Sequence, residues 1–253
     1  MPGFLPELIK KSRFLLDDLF AFISSPLCSG CGRNLEYNHL PLCDICRLRL
    51  VNDFHGEGPV CLICHAPQAI ACGCLIDNRY PMPSMFYWCD YTETVKSLIH
   101  GFKFQGDIRL GSFLIDMALN VMSERLSKIA CEKIVPIPLR PKDKRHRGFN
   151  QSDLIAEKIG SIINAPIDLN LLHKIKPTRL QANLSAKERW LNVKDVFAVE
   201  DIDSVRGKSI LLVDDIVTTG ATSREASRAL YSAGALKVTV FALACADIRK
   251  QAG

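Results

Sequence analysis

The chain has 253 residues, of which 48% are hydrophobic and 23% are charged. These are the values of an ordinary globular protein, so intrinsic disorder, a collagen-like repeat and a bundle of membrane helices are excluded. The length suffices for one large domain, or for a medium domain with a small appendage. Eleven cysteines and a net charge of +5 are the two features that need an explanation.

The N-terminal region contains an apolar run at residues 14–23 that is interrupted by Asp17 and Asp18. The run is therefore too short and too charged for a signal peptide or a membrane span. We expect residues 1–27 to form a helical segment. An odd number of cysteines without an export signal argues against a closed disulfide framework. The expected compartment is the reducing cytoplasm, where clustered cysteines usually bind metal or do redox work.

Eight of the eleven cysteines form four closely spaced pairs in one short stretch. The pairs are Cys28/Cys31, Cys43/Cys46, Cys61/Cys64 and Cys72/Cys74. A Cys-x-x-Cys turn directs two thiolates at one point, and two such turns complete a tetrahedral zinc site. We predict a cysteine-rich double zinc ribbon over residues 28–80, with two structural Zn²⁺ ions. Sequential pairing is the simplest arrangement, but the spacing also allows an interleaved one.

Other interpretations of this stretch are open to test. His39, His55 and His65 could each replace a thiolate as ligand. A set of buried or redox-active thiols is the alternative to metal binding. Buried cysteines do not recur as spaced pairs, however, and no pair lies in the strand–helix pattern of a thioredoxin-like site. The other three cysteines stand singly among apolar residues, where packing explains them: Cys89, Cys131 and Cys245.

From about residue 84 onward, strand and helix patterns alternate. The predicted strands are residues 86–91, 133–139, 209–213 and 238–244. The predicted helices are residues 95–104, 111–126, 151–163 and 222–232. The last two strands are continuous apolar runs of the kind that is buried on both faces. This alternation implies right-handed crossovers and a parallel sheet with helices on both faces, so we predict an α/β domain over residues 84–253.

One segment of that domain has the pattern of a phosphate-binding loop. An apolar strand is followed by Asp214 and Asp215, then by a Thr/Gly-rich turn and a helix. Ligands of open α/β sheets bind beyond the carboxyl ends of the strands, and amides beside a helix N-terminus suit a phosphate. A ligand with both sugar hydroxyls and a phosphate would satisfy the acids and the turn together. The alternative is that the two acids only cap a loop.

This segment resembles the phosphoribosyl pyrophosphate (PRPP) signature of type I phosphoribosyltransferases. The resemblance extends to the ComF family of competence-associated proteins and covers nearly the whole chain from Cys28 to Ala244. The segments similar to that family's signatures are residues 91–106, 135–140, 147–151 and 178–197. The four cysteine pairs resemble its N-terminal double zinc ribbon. Phe104 is a departure, since the family more often has tyrosine there.

The resemblance implies a type I phosphoribosyltransferase-like parallel sheet flanked by helices, and roles for individual residues. Asp214 and Asp215 would orient the ribose while pyrophosphate leaves an oxocarbenium-like sugar. Mg²⁺ bound with PRPP and cationic side chains would stabilise the leaving group. The implied ligand-binding residues are Lys103, Pro138, Leu139, Arg140, Arg147, Gly148, Asn150, Gln151, Arg179, Gln181, Arg189, Thr218, Thr219, Gly220, Ala221 and Thr222.

The stretch of residues 178–192 would be the loop that closes over PRPP and keeps water from the sugar cation. Either Arg179 or Arg189 would then meet the leaving pyrophosphate. For Arg189 and Lys187, a solvated helix face is the alternative.

The segment of residues 140–147 contains five cationic residues and one acid, a net charge of +4. Such a cluster often contacts nucleic acid. It lies between residues implied in pyrophosphate binding, so it could serve that ligand instead, and a solvated loop is the third interpretation.

One main function and two alternatives follow. The first is a ComF-like protein that binds PRPP and acts in DNA uptake and natural transformation, with single-stranded DNA and other competence or DNA-processing proteins as partners. The alternatives are an active phosphoribosyltransferase of unknown acceptor and a PRPP sensor without turnover. No segment can be assigned as a hood that reads an acceptor base, and a transferase and a sensor would share the same phosphate loop.

Overall fold

The computed structural model describes residues 27–35, 40–52, 59–67, 72–104, 107–177 and 186–246. The chain divides into two compact units, residues 1–52 and residues 53–253. The boundary falls between the two groups of cysteine pairs, within the range 28–80 that we predict as one module. The predicted helical segment 1–27 lies outside the described residues except for Leu27. Among the described helices, none combines the length and the apolar character that crossing a membrane requires.

The described part of the first unit, residues 27–35 and 40–52, is small and buries few apolar side chains. It contains a turn that carries Cys28 and Cys31, and the helix α1 (Asp44–Asn52). Leu42 and Leu50 are fully buried in it. Among these described residues, metal ligation by the four cysteines is therefore expected to contribute to local order.

The second unit alternates strands and helices as the sequence predicts. In chain order its elements are β1 (Val60–Cys61), β2 (Leu75–Ile76), β3 (Tyr80–Pro81), β4 (Ser84–Asp90), α2 (Glu93–Phe104), α3 (Ile108–Leu126), β5 (Lys133–Pro136), α4 (Pro141–Arg147), α5 (Gln151–Ile163), β6 (Leu172–Lys174), α6 (Ala186–Val193), β7 (Phe197–Val199), β8 (Ser209–Val217), α7 (Ala221–Ser232) and β9 (Lys237–Cys245). Each helix and strand predicted from residue 84 onward is confirmed to within a few residues, and β1, β2, β3, α4, β6, α6 and β7 are additions.

The main sheet has five strands in the order β1-β4-β9-β8-β5. The last four are parallel, and β1 pairs with β4 in the antiparallel sense. The strand β1 comes from the second cysteine-rich segment and covers an edge that would otherwise expose unpaired backbone groups. The predicted parallel sheet is confirmed, with this one antiparallel strand as an unforeseen addition.

The core lies on the central strands and the helices that pack on them. Residues 210–213 of β8 and 238–245 of β9 are all buried, as expected for strands covered on both faces. The helix α5 packs on β8 and β5, and α7 packs on β8 and β9. The largest fully buried side chains include Trp88, Phe102 and Phe241.

The strand β8 extends four residues beyond its predicted end, so the two acids lie within it. Its neighbour β5 ends at Pro136, which pairs with Val213. A last ladder bond joins Ile137 N to Val213 O at 2.8 Å. From Asp214 onward β8 continues beside β9 alone among the described strands. The early end of β5 therefore opens one side of β8 at the two acids, which explains their place in a cavity.

Candidate functional site

The eight clustered cysteines form two groups of four. In each group, Cys28/Cys31/Cys43/Cys46 and Cys61/Cys64/Cys72/Cys74, all sulfur atoms lie within 4.8 Å of one another. A tetrahedron with zinc–sulfur bonds of about 2.3 Å requires sulfur atoms roughly 3.8 Å apart. The Cys31 and Cys43 sulfurs are 3.8 Å apart. The sequential pairing is confirmed, and both groups fit a tetrahedral metal ion.

Backbone geometry in the first group supports a metal–thiolate site. The amide N of Cys43 donates to Cys28 Sγ at 3.3 Å. Burial raises the pKa of Cys28, but N–H donors of neighbouring residues outweigh it and lower the pKa to about 7. A Cβ at Gly30 would approach Cys46 Sγ to 3.0 Å, so the turn needs glycine there.

The three candidate histidine ligands have different outcomes. His65 belongs to neither group of metal-binding side chains in the described residues. Its ring is buried, and Nε2 lies 3.8 Å from the sulfur of Cys245. His39 and His55 lie outside the described residues. Of the cysteines assigned to packing, Cys89 and Cys245 are buried and Cys131 is half-buried.

A cavity of about 600 Å³ lies at the open side of β8 in the second unit. Its lining includes the acid pair, residues 137–140 after β5, the C-terminal half of α2, and Arg189 from α6. Several of these residues are distant in sequence and are brought together by the parallel sheet. The cavity is large enough for a phosphorylated sugar.

The two acids at this cavity have different partners. Lys103 Nζ lies 2.6 Å from Asp215 Oδ2. Asp214 Oδ1 accepts from the Asp215 amide at 2.9 Å, and Ser223 Oγ lies 3.4 Å from Asp214 Oδ2. Burial and the charge of Asp215 raise the pKa of Asp214 to about 7. The interpretation of these acids as a loop cap is wrong, since both lie within β8 and line the cavity.

The predicted phosphate turn follows β8 directly, and we use that term for residues 218–222. Gly220 has φ of +70° and begins α7, a conformation that glycine adopts without strain. Thr219 Oγ1 accepts from the Ala221 amide at 3.4 Å. Thr218 and Thr222 line the cavity. The turn therefore presents two hydroxyls to the cavity at the N-terminus of the twelve-residue helix α7, as an anion site requires.

Cationic side chains also line the cavity, some of them beside the loop that follows β5. Arg140 is tied to Asp143 by two hydrogen bonds of 2.5 and 2.8 Å. Arg147 Nη1 donates to Gln151 Oε1 at 3.3 Å, and its guanidinium lies 4.6 Å from the centre of the Phe104 ring. Pro138 and Leu139 of that loop line the cavity as well. Part of the basic segment thus belongs to the cavity.

The basic segment itself is a short helix, α4. Its other cations, Lys142, Lys144 and Arg145, are exposed, together with His146. Lys144 Nζ is 3.9 Å from Asp153 Oδ2, a weak contact at this exposure. The segment therefore presents charge both to the cavity and to solvent.

Six of the implied ligand residues do not line the cavity as the structure describes it: Gly148, Asn150, Gln151, Thr219, Gly220 and Ala221. Asn150 is buried at the start of α5, where its side chain accepts from Ser152 N at 3.3 Å and donates to Ile137 O at 3.1 Å. Gly148 ends α4 with φ of +79°. Asn150 therefore ties the loop 137–140 to the start of α5.

The predicted closing loop is described only in part. Arg179 and Gln181 lie outside the described residues. Arg189 lies on α6, lines the cavity, and donates from Nη1 to Thr218 Oγ1 at 3.4 Å. This contact with the phosphate turn argues against the solvated helix face as an interpretation of Arg189. The side chain of Lys187 is not described.

Lys174 is a cavity residue that the sequence analysis missed. It ends β6, and its ammonium lies 5.5 Å from the centre of the Phe197 ring. Burial lowers its pKa, while the charge of Asp214 opposes that shift. The only sequence signal was a lysine two positions after the apolar pair Leu171-Leu172, in a strand too short to be recognised by periodicity.

Comparisons with known proteins agree with this architecture. Residues 168–252 match the phosphoribosyl transferase domain family. The chain is 30% identical over 220 residues to the DNA utilization protein YhgH of Salmonella typhimurium, a match that covers 86% of this chain and 96% of that protein. It is 29% identical over 222 residues to competence protein F of Haemophilus influenzae, covering 86% and 90% of the two chains. It is 30% identical over 216 residues to competence protein ComFC of Bacillus subtilis, covering 80% and 83%.

Proposed function

The chain belongs to the ComF family, with a phosphoribosyltransferase-type domain, and from that premise we propose that its cavity binds PRPP. We propose further that the protein acts in the cytoplasm in DNA uptake and natural transformation. The names of the relatives, a DNA utilization protein and two competence proteins, support this second part.

The acid pair and the phosphate turn support a phosphorylated ribose as ligand. The 5′-phosphate would accept hydrogen bonds from Thr218, Thr222 and the amides at the start of α7. Asp214 and Asp215 would accept from the ribose hydroxyls next to it. A ligand with phosphate alone would make no use of the two carboxyl groups at the cavity, and a sugar alone would make no use of the phosphate turn. PRPP satisfies both.

The cationic residues that line the cavity support a pyrophosphate group on the same ligand. Arg140, Arg147, Lys174 and Arg189 all line it. Mg²⁺ bound to the pyrophosphate would neutralise part of its charge and make it a better leaving group. The protein's own contribution is to orient the sugar and to hold fixed positive charges where the negative charge develops.

For the two cysteine groups, we propose Zn²⁺ as the structural metal. Four thiolates at tetrahedral spacing are the ligand set that closed structural zinc sites use. Two zinc ions per chain, released by a thiol-modifying reagent, would be the expected result of metal analysis.

A single observation carries the PRPP proposal: the two acids and two threonines of the phosphate turn line the same cavity as four cationic side chains, Arg140, Arg147, Lys174 and Arg189. Calorimetric titration with PRPP and Mg²⁺ tests it. Asp214→Asn/Asp215→Asn is expected to abolish PRPP binding while metal content stays unchanged. An unchanged titration in that double variant would overturn the site assignment.

The exposed cations of α4 favour single-stranded DNA as a second ligand, because these side chains do not line the cavity and are free to contact DNA phosphates. Each phosphate neutralised releases counterions, so binding would fall steeply with salt concentration. The charge-reversal variant Lys144→Glu/Arg145→Glu is expected to weaken DNA binding and leave PRPP binding intact. DNA binding that does not depend on salt, or no loss of DNA binding in this variant, would exclude the exposed cations of α4 as the DNA contact.

Turnover separates the remaining alternatives, an active transferase of unknown acceptor and a PRPP sensor. Pyrophosphate release with and without single-stranded DNA is the relevant measurement. Release that depends on DNA would favour a transferase, and binding without release would favour a sensor or accessory role.

A further inference from the structure

We propose that the second cysteine group and its metal hold the phosphate turn in shape, so that phosphoribosyl binding depends on this group and not on the first. The claim about ligand binding rests on the proposed function, whereas the claim about the shape of the phosphate turn, the structural half of the inference, does not. We call residues 61–64 the knuckle and residues 75–81, with β2 and β3, the hairpin.

The knuckle packs directly against the phosphate turn at Gly220. A Cβ added at Gly220 would lie 3.2 Å from Ile63 Cδ1 and 3.4 Å from Leu62 O. Leu62 is fully buried and belongs to the same apolar cluster as Val217, the last residue of β8. Its amide donates to Pro83 O at 3.1 Å, which ties the knuckle to the start of β4. The turn that would hold the 5′-phosphate is therefore packed against a metal-binding loop.

The hairpin that follows the second cysteine pair lies along α7, whose first turn continues the phosphate turn. Asp77 pairs with Arg224 at 3.5 Å and lies 3.9 Å from Arg228. At the other end of the helix, Tyr80 stacks on Tyr231 with ring centres 5.5 Å apart and planes at 10°. The hairpin thus contacts α7 near both of its ends.

The same contacts reach α6, the helix that carries Arg189. The guanidinium of Arg224 lies 4.5 Å from the centre of the Trp190 ring, next to Arg189, which donates to Thr218. Arg224 therefore bridges the hairpin and α6, and on α6 it contacts the residue next to Arg189, which donates to the phosphate turn.

Metal ligation is the natural source of order for the knuckle and the hairpin. The strands β1, β2 and β3 have two residues each, so backbone pairing alone contributes little to their stability. The free energy of binding a metal to four thiolates becomes local folding free energy. Loss of the ion from this group is expected to release the knuckle and with it the support of Gly220. The first group lies in the other compact unit and serves as the control.

Amide hydrogen exchange of residues 218–224 in the full-length protein tests the structural half without any ligand. Cys72→Ser/Cys74→Ser, which removes two metal ligands that do not belong to the knuckle, is expected to raise the exchange rate there at least about tenfold. Cys31→Ser/Cys43→Ser, the matched change in the first group, is expected to leave it unchanged. Metal analysis of both variants verifies that each has lost one ion. PRPP affinity, measured by calorimetry, is expected to fall about tenfold or more only in the first variant.

A milder variant covers the case in which Cys72→Ser/Cys74→Ser fails to fold. Ile63→Ala keeps all four thiolates and removes the side chain nearest to Gly220, so it is expected to raise exchange at 218–224 with full metal content. Unchanged exchange there in either variant, or an equal rise in the first-group control, would overturn the inference. Absence of PRPP binding by the wild-type protein would count against the proposed function alone, because the exchange measurement needs no PRPP.

Discussion

Lys103 Nζ on α2 lies 2.6 Å from the Oδ2 atom of Asp215 on β8, and both side chains are largely buried. Asp214, the adjacent acid, has no such direct ion pair among the described residues, and its pKa is raised to about 7. The two neighbouring carboxyls therefore differ in their surroundings. Asp215 forms an ion pair with Lys103, whereas Asp214, without one in the described part of the chain, is poised to lose its proton as pH rises through about 7.

Removal of the Lys103 charge is expected to leave Asp215 partly buried without its counterion. We expect Lys103→Met to destabilise the fold by about 1–3 kcal/mol, measured by urea unfolding. Lys96→Met is the control on the same helix, since Lys96 pairs with Glu93 at an exposed position, and it is expected to change stability by less than about 0.5 kcal/mol. Lys103→Met/Asp215→Asn is expected to recover much of the loss. Equal effects of the two lysine substitutions would show that the ion pair contributes nothing.

The raised pKa of Asp214 predicts a pH-dependent gain in stability for Asp214→Asn. Because the folded pKa lies above the unfolded one, the contribution of Asp214 to stability is complete at acid pH and is lost as pH rises through about 7. Asparagine keeps the neutral form at every pH. The Tm of Asp214→Asn is therefore expected to exceed that of the wild-type protein above neutral pH and to match it at acid pH.

Asp168 supplies a control of opposite sign for that measurement. Burial raises its pKa, but the hydrogen bond from Lys133 and nearby amides outweigh it, and the pKa is lowered overall. A lowered folded pKa contributes stability that is present above the unfolded pKa and is lost as pH falls. Asp168→Asn is therefore expected to lower Tm at neutral and higher pH. If both substitutions move Tm in the same direction at every pH, burial does not set the charge of Asp214.

Lys174 is expected to contribute to ligand affinity and not to stability. Its ammonium is partly buried and forms no ion pair within 4.0 Å among the described residues, so Lys174→Met removes a charge whose desolvation is unfavourable. We expect PRPP affinity to fall by about 10–100-fold, the range for a charge-assisted phosphate contact, with Tm unchanged or raised. Lys176→Met, at an exposed position two residues further on, is expected to change neither. A loss of Tm in Lys174→Met with unchanged affinity would make Lys174 a packing residue.

Gly220 and Gly207 provide a matched pair of glycine positions. Their φ angles are +70° and +72°, but only Gly220 has close neighbours, since a Cβ at Gly207 would meet nothing within 4 Å. Alanine at either site is expected to destabilise the protein by about 1–2 kcal/mol from the left-handed conformation. Gly220→Ala must in addition shift Ile63 or the phosphate turn by a few tenths of an ångström, so it alone is expected to weaken PRPP binding, by about tenfold. Equal affinities in the two variants would place the ligand phosphate elsewhere.

Much of the fold is visible in the sequence because it is encoded locally. The apolar runs of β8 and β9 and the helical spacing of α5 are properties of a few consecutive residues, and each element predicted from residue 84 onward is present. The cysteine spacing likewise predicts the metal ligands, since a tetrahedral site needs pairs of thiolates on tight turns. Lys174 and the hairpin escaped prediction because strands of two or three residues carry no readable period.

The sequence by itself determined the elements, the eight thiolates and the acid pair with its phosphate turn, because these follow from short-range periodicity and spacing. Only the tertiary structure decided which of them meet. It placed Lys103 against Asp215, ended β5 at Pro136 so that β8 opens at its acids, and set the knuckle behind Gly220. Such contacts join residues distant along the chain, and they arise from the packing of whole elements around a shared core, a property that no local pattern contains.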